Sequence, residues 1–249
     1  MSPEADIDAL KLRLDALRPV RRRAWAAILS ANQIELSWAS NAIEGNTLTQ
    51  RETAELVEHG ITVGGKPLGD HLEAVDHYDA LGWVLQGAGP ERALNEDLVC
   101  ELHRRIVARS RPDIAGFYST HPRRIAGSMA VFPAPAKIPG LMASFGDWLS
   151  AAPRARAAAW EALWGLVVIH PFSDGNGRTA RLLMNLILIR AGYPPVSVRP
   201  EDRSAYLDAL EACSAAGTSM SLSTVLDARL LDTLAGYVEA LEQSLPETH

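Results

Sequence analysis

The stretch His170-Pro-Phe-Ser-Asp174-Gly175-Asn176-Gly177-Arg178-Thr-Ala-Arg181 packs one imidazole, one carboxylate, two glycines flanking an asparagine and two guanidinium groups into a single short segment. Gly175-Asn176-Gly177 stands at the entry to a strongly apolar helix, where unpaired amides and the helix dipole favour an anion. Glycine on both sides of Asn176 lets the backbone close over a phosphate in a nest-like bend. Arg178 and Arg181, at i and i+3, can both reach back toward that end, and guanidinium forks match phosphate oxygens. Asp174 can offer one oxygen to Mg²⁺, which binds readily through one carboxylate plus substrate phosphates. His170, at the end of the preceding helix, can serve as a general base. Together these parts describe phosphoryl or nucleotidyl transfer: anchors for a polyphosphate, a charge-neutralising metal and a base for the attacking group. Taken singly, each is a helix end, a turn or a solvated surface charge. Their joint occurrence in this order carries the chemistry.

The elements that must hold this set read mostly as helix. Apolar runs at 160–169 and 182–189 flank the motif, the second forming a helix from about Gly177 to Ala191 that stops at Gly192 and Pro194-Pro195. Further helices are expected at 4–18 and 22–44, the latter stopped by Gly45. Thr49-Gln-Arg-Glu52 matches a capping box opening a short helix that ends at His59-Gly60. Asp70 is expected to open a helix to Gln86, and Asn95 one to Ala108. Helices resume at about 137–151, 154–169, near Pro200 and at about 221–243. Residues 112–136 are proline-rich and are expected to hold one short β-hairpin flap around Gly127-Ser128. The fold class is mainly α, a helical bundle with that one flap. It divides into an N-terminal helical region (1–92), a catalytic core (93–220) and a C-terminal helix (221–249).

Composition narrows the function further. The chain has 249 residues, 47% hydrophobic and 22% charged. That is enough for a sizeable core and fits one elaborated domain, or one domain plus a small appendage. A net charge of −6 argues against a broad nucleic-acid surface. Two distant cysteines, Cys100 and Cys213, fit a reduced compartment. The acidic start lacks an apolar core, and no apolar run nears the ~18 residues of a membrane span, so a cytoplasmic location is expected, with no membrane partner. The basic run Arg18-Pro-Val-Arg-Arg-Arg23 reads as a solvated helix start, and His71 and His77 sit too far apart on a helix face for a metal pair. His103, Tyr118 and Trp148 read as packing residues.

The motif resembles that of the Fic family: a histidine and phenylalanine, then an acid, then Gly-Asn-Gly-Arg and a second arginine. The likeness extends to Arg181–Pro195 and Arg199-Pro-Glu-Asp-Arg-Ser-Ala-Tyr206, which are similar to metazoan members, and to Gly116-Phe-Tyr118 and Val131-Phe-Pro-Ala-Pro135, similar to the family's target-docking flap. It covers roughly residues 37–215. The resemblance implies a Fic fold and transfer of AMP from ATP to a tyrosine, serine or threonine hydroxyl of a target protein, the chain itself included. It implies that His170 deprotonates the hydroxyl and Asp174 holds Mg²⁺ against the α- and β-phosphates. Gly175, Asn176, Gly177 and Arg178 then cradle the phosphates and Arg181 holds the γ-phosphate. Members that act as protein kinases carry lysine at the position of Gly177, so AMP transfer is preferred. Ser214 stands where metazoan members often have asparagine near the adenine. The chain is too short for the membrane anchor and helical repeats of those enzymes, and a homodimer is compatible with the pattern.

A second segment, Ser40-Asn-Ala-Ile-Glu44-Gly45, holds a local conflict. Glu44 is an acid at a helix C-terminus, where its charge meets the negative end of the dipole. Alone it reads as a solvated glutamate. Beside the resemblance, Ser40, Glu44 and Gly45 look like the family's N-terminal inhibitory motif, whose glutamate pairs with the second arginine, here Arg181. Two alternatives stay open: removal of AMP by the same site with Glu44 orienting water, and a nucleotide-binding regulatory module without turnover.

Overall fold

The computed structural model describes residues 3–18, 22–86, 92–123 and 131–244. Within them run ten α-helices: α1 Pro3–Leu17, α2 Arg22–Ile43, α3 Gln50–His59, α4 Leu68–Leu85, α5 Glu96–Ile106, α6 Ile138–Ala151, α7 Arg156–Ile169, α8 Asn176–Arg190, α9 Arg203–Ala216 and α10 Met220–Gln243. Single turns of 3-10 helix, Pro135–Lys137 and Pro200–Asp202, precede α6 and α9. Among the described residues the only β pairing is an isolated antiparallel bridge between Tyr118 and Phe172. The expected hairpin around Gly127-Ser128 lies outside the described residues.

Local chemistry starts and stops these helices. The Thr49 hydroxyl accepts the Glu52 amide at 3.2 Å while the Glu52 carboxylate accepts the Thr49 amide at 2.7 Å, closing the capping box. Gly60 ends α3 in the left-handed region at φ 68°, where glycine is at ease. The Asn95 side-chain oxygen accepts the Leu98 amide at 3.0 Å to open α5. Helix α5 stops at Ile106, two residues short of expectation. The Asp76 carboxylate captures the amides of Arg109 and Ser110 at 2.8–3.0 Å and turns the chain away. Asp70 also departs from expectation. Helix α4 begins at Leu68, and the Asp70 carboxylate instead accepts the Thr47 amide at 2.8 Å and its hydroxyl at 2.6 Å.

Helix α8 is the axis of the bundle. Every residue from Arg178 to Leu188 is buried, as expected for a helix covered on all sides. Helices α7, α5, α4 and α2 pack around it. Helix α1 lies along α10, with Ile7 and Leu14 fully buried. Those two side chains contribute at most about 3–6 kcal/mol of apolar burial to that packing. The basic run does not read as expected at its first residue: the Arg18 guanidinium donates to the Gly192 carbonyl at the end of α8 and stacks over Trp25, 4.7 Å from the ring centroid.

Candidate active site

Helix α7 ends at His170, which adopts φ 50°, ψ 56° and donates its amide to the Leu166 carbonyl at 2.9 Å. Among the described residues no other non-glycine has a positive φ. That conformation costs an L-residue roughly 1–2 kcal/mol, and it turns the chain sharply into the motif loop. The loop then closes on itself through Asn176, whose side-chain oxygen accepts the Phe172 amide at 2.9 Å and whose amide donates to the Phe172 carbonyl at 2.8 Å. Asn176 therefore shapes the bend with its side chain, leaving any anion to the backbone. Gly175, at φ 72°, opens α8 with no side-chain cap. The first amides of a buried helix thus face the loop, that of Gly175 taken by the Asp174 carboxylate at 2.6 Å.

The His170 ring sits at the rim of this bend. Its Nδ1 lies 3.3 Å from the Val167 carbonyl. That contact assigns the proton to Nδ1 and leaves Nε2 a free lone pair. Phe132 stacks on the ring at 4.0 Å. Burial lowers the imidazole pKa to about 4, helped by Arg123 and opposed by the Val167 carbonyl, Glu44 and Asp174, because a low-dielectric site disfavours the charged ring. At neutral pH the ring is in its basic form. Asp174, 45% exposed, accepts the Gly175 amide at 2.6 Å with one oxygen, and the other lies 3.7 Å from Arg178. A half-exposed carboxylate beside free amides suits Mg²⁺, which asks for one carboxylate and takes the rest of its oxygens from substrate and water. Among the described residues no group of three or more His, Cys, Asp or Glu gathers into an all-protein metal cage.

Glu44 reaches this site from the end of α2. Its Oε1 lies 2.8 Å from Arg181 Nη2. The same guanidinium donates from Nε to the Ser40 hydroxyl at 3.0 Å and from Nη2 to the Ser40 carbonyl at 2.7 Å. Arg181 is 4% exposed, and the buried Tyr206 lies beside it. Gly45, at φ 97°, turns the chain away just past the glutamate. A Cβ built on Gly177 would collide with the Glu44 carboxylate, so that carboxylate rests on the first turn of α8. The conflict read at the end of α2 is thereby resolved: the charge refused by one helix C-terminus is received by another helix's N-terminus and an arginine.

Residues 93–188 match the model of the Fic/DOC family. The chain belongs to that family. It is 42% identical over 176 residues to protein adenylyltransferase Fic of Nematostella vectensis, covering 69% of this chain and 41% of that protein. Protein adenylyltransferase Fic of Drosophila willistoni is 30% identical over 248 residues, 97% of this chain and 49% of that one. The chain thus spans about half the length of the curated relatives it matches. Among solved structures, residues 134–508 of Fic-1 from C. elegans superpose with a TM-score of 0.85 at 25% identity, covering 98% of this chain and 74% of that one. A Fic domain-containing signaling protein from Bacteroides thetaiotaomicron gives 0.86 at 29% identity, covering 98% and 99%.

Not every residue of the Fic motif stands at the mouth of α8. Arg178 is 2% exposed and turned toward α4 and α2, with Glu73 Oε1 at 3.2 Å and Asn41 Oδ1 at 3.5 Å. Ser214 is exposed and donates to the Leu210 carbonyl at 2.9 Å. Tyr118 is engaged in packing: its hydroxyl donates to Glu96 at 2.6 Å and accepts from Cys100 at 3.4 Å, and burial drives its pKa well upward.

His103 does more than fill the core. Its Nδ1 accepts the Gly116 amide at 2.9 Å, so Nε2 bears the proton and donates to the Asp174 carbonyl at 3.1 Å. The ring stacks on Phe172 at 3.7 Å, and burial lowers its pKa to about 4 against the pull of that carbonyl. A neutral imidazole thus pins both the motif loop and the 114–118 segment. Neither the role of His103 nor the acid and amide partners of Arg178 has a local sequence signal, because each bond spans many residues.

Proposed function

We propose that the chain is a protein adenylyltransferase, moving AMP from ATP to a protein hydroxyl, and that Glu44 restrains it. One observation carries the reading. A carboxylate from another element occupies an uncapped helix N-terminus and its arginine, beside a histidine whose Nδ1 is tied to the Val167 carbonyl and whose Nε2 is the basic nitrogen. A seat that holds a carboxylate suits a phosphate oxygen equally well. The names of the metazoan relatives support the same activity.

In this reading the triphosphate lies against the amides of Asn176 and Gly177, and of Gly175 once the Asp174 carboxylate turns to the metal, with its γ-phosphate on Arg181. His170 Nε2 takes the proton of the target hydroxyl, the oxygen attacks the α-phosphorus, and pyrophosphate leaves. Magnesium held by Asp174 and the substrate phosphates supplies charge neutralisation for the leaving group. With Glu44 seated, the γ-phosphate meets a carboxylate where it needs a guanidinium, and ATP does not reach its reactive pose.

Incubation of the purified chain and its variants with α-labelled ATP, Mg²⁺ and a protein lysate tests this. Glu44→Gly should label protein at least about tenfold faster than the unaltered chain, the equivalent of one charge-assisted hydrogen bond. His170→Ala should abolish that label. A folded Glu44→Gly that binds ATP but labels nothing rejects the transferase reading. Release of label from a pre-modified protein, faster with Glu44 present than absent, would instead assign removal of AMP.

A further inference from the structure

The restraint has a mechanical puzzle. The Glu44 side chain is 42% exposed, and a surface carboxylate on one arginine holds weakly. Something else must keep the turn after α2 in place. Glu73 of α4 sits where that task can be done. Its Oε1 lies 3.2 Å from Arg178 Nη2, and its Oε2 accepts the Asn46 side-chain amide at 3.2 Å. That side-chain amide also donates to the Asp70 carbonyl at 3.0 Å, and the Asn46 side-chain oxygen accepts the Leu48 amide at 3.1 Å.

The contacts form a closed ring. From Asn46 the chain returns to α2 through its backbone amide, which donates to the Asn41 carbonyl at 3.2 Å. The Glu44 amide donates to that same carbonyl at 3.0 Å. Asn41 in turn presents its side-chain oxygen to Arg178 Nη1 at 3.5 Å while its own side-chain amide donates to the Ser37 carbonyl at 3.0 Å. Asn41, Arg178, Glu73 and Asn46 therefore encircle the turn that carries Glu44. Arg178 and Asn41 are each 2% exposed. The ring is thus shielded from water on its inner side, and each bond there counts for more than a surface contact.

We infer that Glu73 is a positioning residue: one carboxylate fixes the Asn46 turn that seats Glu44 and, with its other oxygen, orients the first arginine of the motif. The inference deepens the proposed function and rests on that reading for its activity readout. Loosening the turn shifts the population toward the unseated glutamate. Loosening Arg178 also disturbs Asp174, its neighbour at 3.7 Å.

The experiment pairs two readouts on the full chain, amide hydrogen exchange and labelled AMP incorporation. Asn46→Ala leaves Arg178 with its acid and removes the arm to the turn together with the bonds to the Asp70 carbonyl and from the Leu48 amide. It should speed exchange at residues 44–48 and raise labelling at least about fivefold, the size expected for the loss of one such bond or more. In a Glu44→Gly background it should leave labelling unchanged, because nothing remains to be seated. Glu73→Ala should speed the same amides, and in Glu44→Gly it should raise the Mg²⁺ concentration needed for half-maximal labelling; Glu73→Gln should restore the exchange protection in part. Unchanged exchange at 44–48 in both Asn46→Ala and Glu73→Ala overturns the inference whatever the activity shows. Equal effects of Asn46→Ala with and without Glu44 overturn it too, since a merely structural residue behaves that way. Absent labelling in Glu44→Gly, with exchange altered as described, rejects the transferase reading and leaves the ring standing.

Discussion

Glu44 occupies the space in which a side chain on Gly177 would begin. A Cβ built there collides with Glu44 Oε1 and stands 3.1 Å from Arg181 Nη1. The two positions are separated by most of the chain, yet each decides what the other can be. Gly177→Ala should cost about 1–3 kcal/mol of stability while Glu44 is present, the size of a local overpacking. The cost should largely vanish in Glu44→Gly. Urea unfolding of the two single variants and the double variant gives the coupling directly, and additive effects would show that the carboxylate does not rest there.

The pH dependence of labelling should reveal the buried state of His170. Its folded pKa of about 4 lies below the ordinary 6.5, and in the proposed reading the neutral ring is the base. Activity is therefore full above the folded value and is lost only as pH falls through it. The Glu44→Gly variant loses one group that raises this pKa, so its profile stays low. Between about pH 5 and 8, kcat/KM of that variant should show no inflection at the ordinary histidine value. An inflection there would mean an exposed ring.

Acid should weaken the fold through three histidines. Burial holds His77 at about 3 and His103 and His170 at about 4, against 6.5 as the ordinary value. Between those values the unfolded chain binds more protons, so this stability is whole above the unfolded pKa and is lost as pH falls toward the folded one. The slope is at most about 1.4 kcal/mol per pH unit for each histidine. His77 is 3% exposed and lies near Arg181 and Arg178, and among the described residues neither ring nitrogen has a hydrogen-bond partner. His77→Phe should thus hold or raise the urea midpoint at about pH 7 and reduce the loss between about pH 7 and 5.

His103→Phe keeps the stack on Phe172 but orphans the Gly116 amide and the Asp174 carbonyl. A loss of about 2–4 kcal/mol should follow, from two buried groups at about 1–2 kcal/mol each. Because the second of them belongs to Asp174, the Mg²⁺ requirement of Glu44→Gly labelling should rise as well. A stability loss with no change in that requirement would confine His103 to packing.

Caps and stops were legible because their physics is local. Thr49 with Glu52, Asn95 and Gly60 each satisfy or release groups within a few residues. The awkward place of Glu44 at a helix C-terminus was legible too, but alone it reads as a solvated glutamate, and only the resemblance to the family motif points to Arg181. Asp70 misled because an aspartate near a helix start can serve any nearby amide, and the Thr47 turn claimed it. The inward turn of Arg178 was out of reach. Spacing places a guanidinium on a helix face, but which acid waits there depends on α4, whose Glu73 carries no mark in the sequence. His103 is the same case, with one partner 71 residues downstream.

The contact between Glu44 and Arg181 joins positions 137 residues apart, the glutamate coming first. Ribosomes deliver chains from the amino end, and the segments made first are free to fold first. In the proposed reading, the turn that carries Glu44 is thus already synthesised when the helix mouth it fills takes shape, so the seat can be taken as soon as it forms.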